Sequence, residues 1–113
     1  INTLERKKDL DLKWRSRVNN ELKNAYKKIF SKIDILIFLK VPSFNSVYKW
    51  RLLQEKKLQL TLKSKKTMSP LQVRNFIMYY ERITMQMLKD LPKKANTVLY
   101  LDKHHRFNKI KFN

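Results

Sequence analysis

Apolar residues fall along this chain in helical stripes separated by two short solid runs. From Leu12 onward, Trp14, Val18, Leu22, Tyr26, Ile29 and Phe30 recur at three- and four-residue steps, which predicts a helix near 12–31. The eleven residues before it, with the acidic positions Asp9 and Asp11, show no period and read as a loop. After Asp34 comes the unalternated run Ile35-Leu36-Ile37-Phe38-Leu39, the pattern of a strand covered on both faces, as in a parallel sheet. Pro42 and Ser43 stop that strand, predicted near 33–39. Ser43 or Asn45 can cap a second helix near 44–64, with Phe44, Val47, Tyr48, Leu52, Leu53, Leu58, Leu60 and Leu62 on its apolar side.

The basic stretch Lys63 to Lys66 reads as a surface loop. Ser69 before Pro70 then signals a helix start, with the hydroxyl as N-cap and proline at the first helical position. Leu71, Val73, Phe76, Ile77, Tyr80, Ile83, Met87 and Leu88 carry a third helix near 70–90, stopping before Pro92. Thr97-Val98-Leu99-Tyr100-Leu101 repeats the buried-strand pattern, Asp102 to Arg106 leaves it as a polar loop, and Phe107 to Phe112 forms a weaker last strand. The order of elements fits one α/β domain over 1–113 with crossover helices. Two apolar strands bury little area and leave ladder donors unmatched, so the pattern calls for more sheet, from absent sequence or from another subunit along the sheet edge.

Composition narrows the chemistry. The 113 residues contain no glycine, where the usual frequency of roughly 7% would give about eight. A Walker A loop, a dinucleotide fingerprint and a nucleophile elbow all need glycine where backbone approaches phosphate or takes positive φ, so this chain builds none of them alone. Zero cysteine removes disulfides, thiolate catalysis and cysteine-ligated zinc, and two adjacent histidines are a poor start for a metal site. Hydrophobic residues at 42% exceed what a disordered polycation carries. The longest apolar run is far short of the roughly 20 residues that span a bilayer. No signal-peptide pattern opens the chain, so a cytoplasmic protein without a membrane partner is expected.

Net charge is +18, from 27 Lys+Arg against 9 Asp+Glu. Clustered basic residues release counterions from phosphate backbones, which makes a basic RNA- or polyanion-binding module the alternative function. Lysine outnumbers arginine by 20 to 7, alanine occurs only at Ala25 and Ala95, and the charges lie in dispersed pairs such as Lys27-Lys28 and Lys93-Lys94. That skew fits drift toward AT-rich codons on a solvated surface, and nucleic acid is the disfavoured partner.

Val41 to Glu55 is the most informative segment. A buried strand here delivers the chain to a helix carrying Trp50-Arg51 and, one turn later, Gln54-Glu55. Arg51 and Glu55 stand at i,i+4 spacing, which allows an ordinary intrahelical ion pair. The functional alternative puts the Arg51 guanidinium over a phosphate site at the carboxyl end of the sheet, where ligands of open α/β folds bind.

Phe38 to Leu58, with Met68-Ser69, Phe76, Tyr80-Glu81-Arg82-Ile83-Thr84 and Ala95 to Asp102, resembles the C-terminal half of P-loop small-molecule kinases of the D-glycerate 3-kinase type, relatives of uridine kinase and phosphoribulokinase. Ile1 to Glu5, Asp9, Trp14-Arg15 and Val18-Asn19 resemble the segment those kinases carry after their acceptor-binding region. The resemblance covers nearly the whole chain, and the Trp-Arg-x-x-Gln-Glu and Tyr-Glu-Arg-Ile-Thr strings carry most of it.

It implies a partial three-layer P-loop kinase fold whose N-terminal phosphate-binding half is absent. It also implies ATP with Mg as cofactors, the Mg ligands in that absent half, and a small hydroxy-acid substrate. A lid helix of such kinases sets basic groups against the ATP phosphates, which implies that role for Arg51 with Lys49 and Gln54 in support. Trp50 reads as packing. The loop after the final strand lies near the base in related kinases, which puts Lys103, His104 and His105 beside adenine; exposed loop histidines are the other reading. Glu5 and Arg15, with Asp9 and Asn19, fall on the acceptor side. Glu81 as a general base needs a cavity and substrate, Tyr80 reads as core, and Arg82 as the partner of a nearby carboxylate.

Overall fold

A computed structural model describes residues 1–62 and 66–113. Most of the predicted loop at Lys63 to Lys66 therefore lies outside the described residues. At the start, the expected loop is instead a short helix, α1 (Thr3–Lys8), because Asn2 and Glu5 form a reciprocal capping box that satisfies its first amides. A six-residue helix has too few apolar positions to show a period, which is why hydrophobic spacing misses it.

The helix expected near 12–31 breaks into α2 (Lys13–Lys23) and α3 (Ala25–Phe30), divided at Asn24. Leu12 opens α2 at φ 62, a left-handed conformation that strains a residue with a Cβ. In a chain without glycine such positions fall to ordinary residues; among the described residues His105 at φ 63 is the second. Leu12 makes no side-chain cap, and the Asp9 carboxylate takes that part from outside the helix, accepting from the Trp14 and Arg15 amides at 2.8 and 3.1 Å.

Strand β1 (Ile37–Lys40) is shorter than the apolar run that announces it. It leads to α4 (Phe44–Leu62), where the Ser43 hydroxyl accepts from the Ser46 amide at 3.2 Å and so serves as the cap. Helix α5 (Pro70–Lys94) starts as expected, with a capping box between Ser69 and Gln72. It does not stop before Pro92. Proline removes one ladder donor, yet the packing of Leu88, Leu91 and Ala95 against the sheet holds the last turn in helical form.

Strands β2 (Thr97–Leu101) and β3 (Phe107–Phe112) complete a three-stranded sheet in the order β1-β2-β3. β1 and β2 run parallel, as their solid apolar pattern predicts, and β3 returns antiparallel with an irregularity at Tyr100/Leu101. The fold is therefore mixed α/β. In register, Phe38, Val98 and Lys111 point to one face, and Ile37, Thr97 and Phe112 to the other.

Only the first face is covered. Phe38, Val98 and Ala95 form the core there, under Leu88 and Leu91 of α5. The other face leaves Ile37 58%, Ile110 55% and Phe112 76% exposed, with Leu39 and Phe107 also open. This corrects the expectation of strands buried on both sides within a three-layer arrangement, because among the described residues nothing forms the third layer. Helix α5 also packs on α4 and α1, where Val73 and Ile77 are buried. Tyr80, expected in the core, is exposed and meets Phe76 edge-on. No helix among the described residues is long and apolar enough to cross a membrane.

Candidate functional site

The turn after β2 is built on Asp102. Its Oδ1 accepts from the amides of His104 and Arg106 at 2.8 and 3.0 Å, while its own amide donates to the Arg106 carbonyl. The Arg106 and His104 amides hold the Asp102 carboxyl below its ordinary value of 3.8, with burial opposing them and the His104 and Arg106 charges adding to them. This clasp forces His105 to positive φ and turns its imidazole back toward α4, where it lies 4.0 Å, centroid to centroid, from the Trp50 ring. The Trp50 indole N–H donates to the Lys103 carbonyl at 3.2 Å. Trp50 is thus more than helix packing: it fastens α4 to the loop after β2.

One face of α4 and the His105 ring border an open cavity of about 290 Å³, lined mainly by Trp50, Leu53, Gln54, Lys57, Leu58 and His105. Lined by apolar and aromatic groups with an amide and an ammonium at its rim, it suits a planar heteroaromatic group. Of the residues expected at a nucleotide site, Gln54 and His105 line this cavity and the Lys103 backbone stands at its edge. Lys49 and the His104 side chain are exposed. Sequence reading missed Lys57; its place two turns beyond Trp50 and one turn beyond Gln54 on α4 was the available signal.

Arg51 does not line the cavity. Its guanidinium meets Glu55 Oε1 at 2.6 Å and the Gln54 amide oxygen at 3.0 Å, and stands 5.6 Å from the centre of the Phe76 ring. The intrahelical pair allowed by spacing is therefore present. Glu55 is buried, and its other oxygen accepts from the Met68 amide at 3.0 Å, so it ties the entry of α5 to α4. The Arg51 side chain keeps a quarter of its surface exposed.

The residues expected on the acceptor side come together beneath α1. Glu5, Asp9, Arg15 and Arg82 line a second cavity of about 150 Å³ with Leu4 and Trp14. Their charges are already matched. Arg15 Nε donates to Asp9 at 2.7 Å and Arg82 Nε to Glu5 at 3.1 Å, while Arg82 also reaches Asn19 at 3.3 Å. Glu81 accepts from the Asn2 amide group at 2.9 Å.

The Arg15 side chain, then the Trp14 and Arg15 amides, lower the Asp9 carboxyl below 3.8 against the opposing effect of burial. A carboxylate whose folded value is depressed stabilises the protein fully above the unfolded value, and that share is lost as pH falls through the folded one. Thermal melts from neutral to strongly acid pH should therefore show stability falling only below the ordinary aspartate range. Asp9→Asn should flatten that acid limb, leaving the share due to Asp102; an unchanged limb would remove Asp9 from the account.

Among the described residues no three histidine, cysteine or acidic side chains group as a metal site. No family model matches the chain, and no curated protein or solved structure matches it either.

Proposed function

We propose that this chain is the lid and nucleotide-base half of an ATP-dependent kinase that transfers the γ-phosphoryl group to the hydroxyl of a small D-glycerate-like acceptor. The observation that carries this reading is the seam between α4 and the loop after β2, where Trp50, the Lys103 carbonyl and His105 join lid helix and base loop around one cavity. The parallel pair β1 and β2 supports it, since the loop after β2 and the start of α4 both leave the carboxyl ends of parallel strands.

In this reading the paired Trp50 and His105 rings stand on one side of the base, Gln54 and Lys103 border it, and Lys49 reaches toward phosphate. Arg51, held by Gln54 and Glu55, stabilises charge on the transferring group once the lid closes. ATP would supply the phosphoryl group and a bound Mg would neutralise charge on its oxygens. The Mg ligands and the glycine-rich cradle belong to a Walker A half that this chain does not contain. Glu5 and Arg15 stand on the acceptor side.

Tryptophan fluorescence in a Trp14→Phe background tests the base site. Titrating the full chain with MgATP should quench Trp50 and shift the His105 resonances, with no ATP hydrolysis. Hydrolysis by these 113 residues alone would overturn the half-kinase assignment, and a nucleotide-blind Trp50 would overturn the base site.

A further inference from the structure

The cavity beneath α1 is lined by charges that match one another; a larger cavity is not. This one, of about 580 Å³, lies where α1 and the first turns of α4 meet α5. Leu71, Arg74, Met78 and Glu81 all line it and recur at three- and four-residue steps, so one face of α5 forms a wall. Asn45 and Tyr48 of α4 and Arg6 of α1 stand around that wall.

Three charges here lack a partner of opposite sign. Among the described residues, no carboxylate lies within ion-pair distance of Arg6 or Arg74, and no cation lies within that distance of Glu81. Arg74 and Glu81 do not neutralise each other, because their spacing puts them two turns, roughly 10 Å, apart along α5. Both are nonetheless held in place. The Arg74 guanidinium stands over the Tyr48 ring, 4.2 Å from its centre, a contact that leaves its N–H donors for a planar oxyanion. The Asn2 amide group donates to one Glu81 oxygen at 2.9 Å and to the Met78 carbonyl at 2.8 Å, so the residue that caps α1 also orients this acid.

A chain of net charge +18 draws anions in general toward Arg6 and Arg74. Glu81 restricts the choice, since it repels a second anionic group and attracts a cation. We propose that this cavity binds a small zwitterion whose two charges are several carbons apart, an ω-amino acid. Its carboxylate lies on Arg74 and Arg6, and its ammonium on Glu81. Met78, between Arg74 and Glu81 on the same face, meets the methylene chain. The assignment does not rest on the kinase reading, and its test contains no nucleotide, so either can fail alone.

The probe is ε-aminocaproate, titrated into the isotope-labelled full chain and followed by backbone amide resonances. Saturable shifts are expected at Asn45, Asn75 and Glu81. Caproate and hexylamine, each with one charged end, should bind at least about tenfold more weakly. Arg74→Gln should weaken ε-aminocaproate and caproate alike. Glu81→Gln, which keeps an acceptor for Asn2, should weaken ε-aminocaproate at least about tenfold and leave caproate unchanged; weakening of both would reduce Glu81 to a structural role and sink the proposal. Absence of saturable shifts, or caproate binding as tightly as ε-aminocaproate, would overturn it. Equal binding of ε-hydroxycaproate would do the same, by making a neutral donor sufficient. Inorganic phosphate that binds through Arg74 more tightly than ε-aminocaproate, and equally well in Glu81→Gln, would replace the zwitterion site with a plain anion site.

Discussion

Replacing Glu55 with glutamine should lower the unfolding free energy by about 2–3 kcal/mol, read as a shifted midpoint in urea. Glu55 is buried, pairs with Arg51 at 2.6 Å and accepts from the Met68 amide, so one substitution weakens an ion pair and the junction of α4 with α5 together. The figure falls at or below the low end for broken buried pairs because Arg51 keeps a quarter of its surface exposed and can turn to water. Arg51→Met should cost a similar amount, since it leaves the buried carboxylate with only an amide donor. The double variant should cost clearly less than the two singles added. Full additivity would show that the pair contributes nothing and would free Arg51 for a purely functional reading. Strong coupling would mean that an activity loss in any Arg51 variant has to be corrected for lost stability before it is assigned to phosphate contact.

Phe38→Ala should be the more damaging change, at about 3–4 kcal/mol, for a domain whose total stability is expected near the low end of roughly 5–15 kcal/mol. Phe38 packs against Ala95 and Val98 beneath Leu88 and Leu91, in a sheet core so small that no neighbour can fill the gap. Ile37→Ala, one residue earlier, should cost less than about 1 kcal/mol, because Ile37 is 58% exposed on the open face. Equal losses at the two positions would mean that both faces are covered in solution. The contrast measures, with two conservative truncations, whether the sheet is one-sided.

Much of the scaffold was legible in the residues. Ser69-Pro70 announced α5 through its hydroxyl cap, and the solid runs around Phe38 and Val98 announced a parallel pair, because β-branched and aromatic residues without alternation suit strands expected to be covered on both sides. What was illegible had a local rival. Asn2 and Glu5 cap a helix too short to show a period, and Pro92, a stop signal by itself, is overridden by the contacts of Leu91 and Ala95. The candidate site divides in the same way. The spacing of Arg51 and Glu55 foretold their pair, but nothing in the order of residues said that His105 would turn back onto Trp50, a contact between positions 55 residues apart in the chain that depends on the Asp102 clasp.

By itself the sequence determined the strands and the long helices after them in outline, that no glycine-dependent phosphate loop can form from these residues, and which charges are close enough along one helix to pair. These follow from local spacing and from atoms a residue has or lacks. Tertiary structure alone decided that α4 and the turn after β2 meet at one open cavity, that Glu5 and Arg15 are matched by Arg82 and Asp9, and that one apolar face of the sheet stays open. Periodicity reports that a side chain favours burial, but the partner that buries it is set by how distant elements pack.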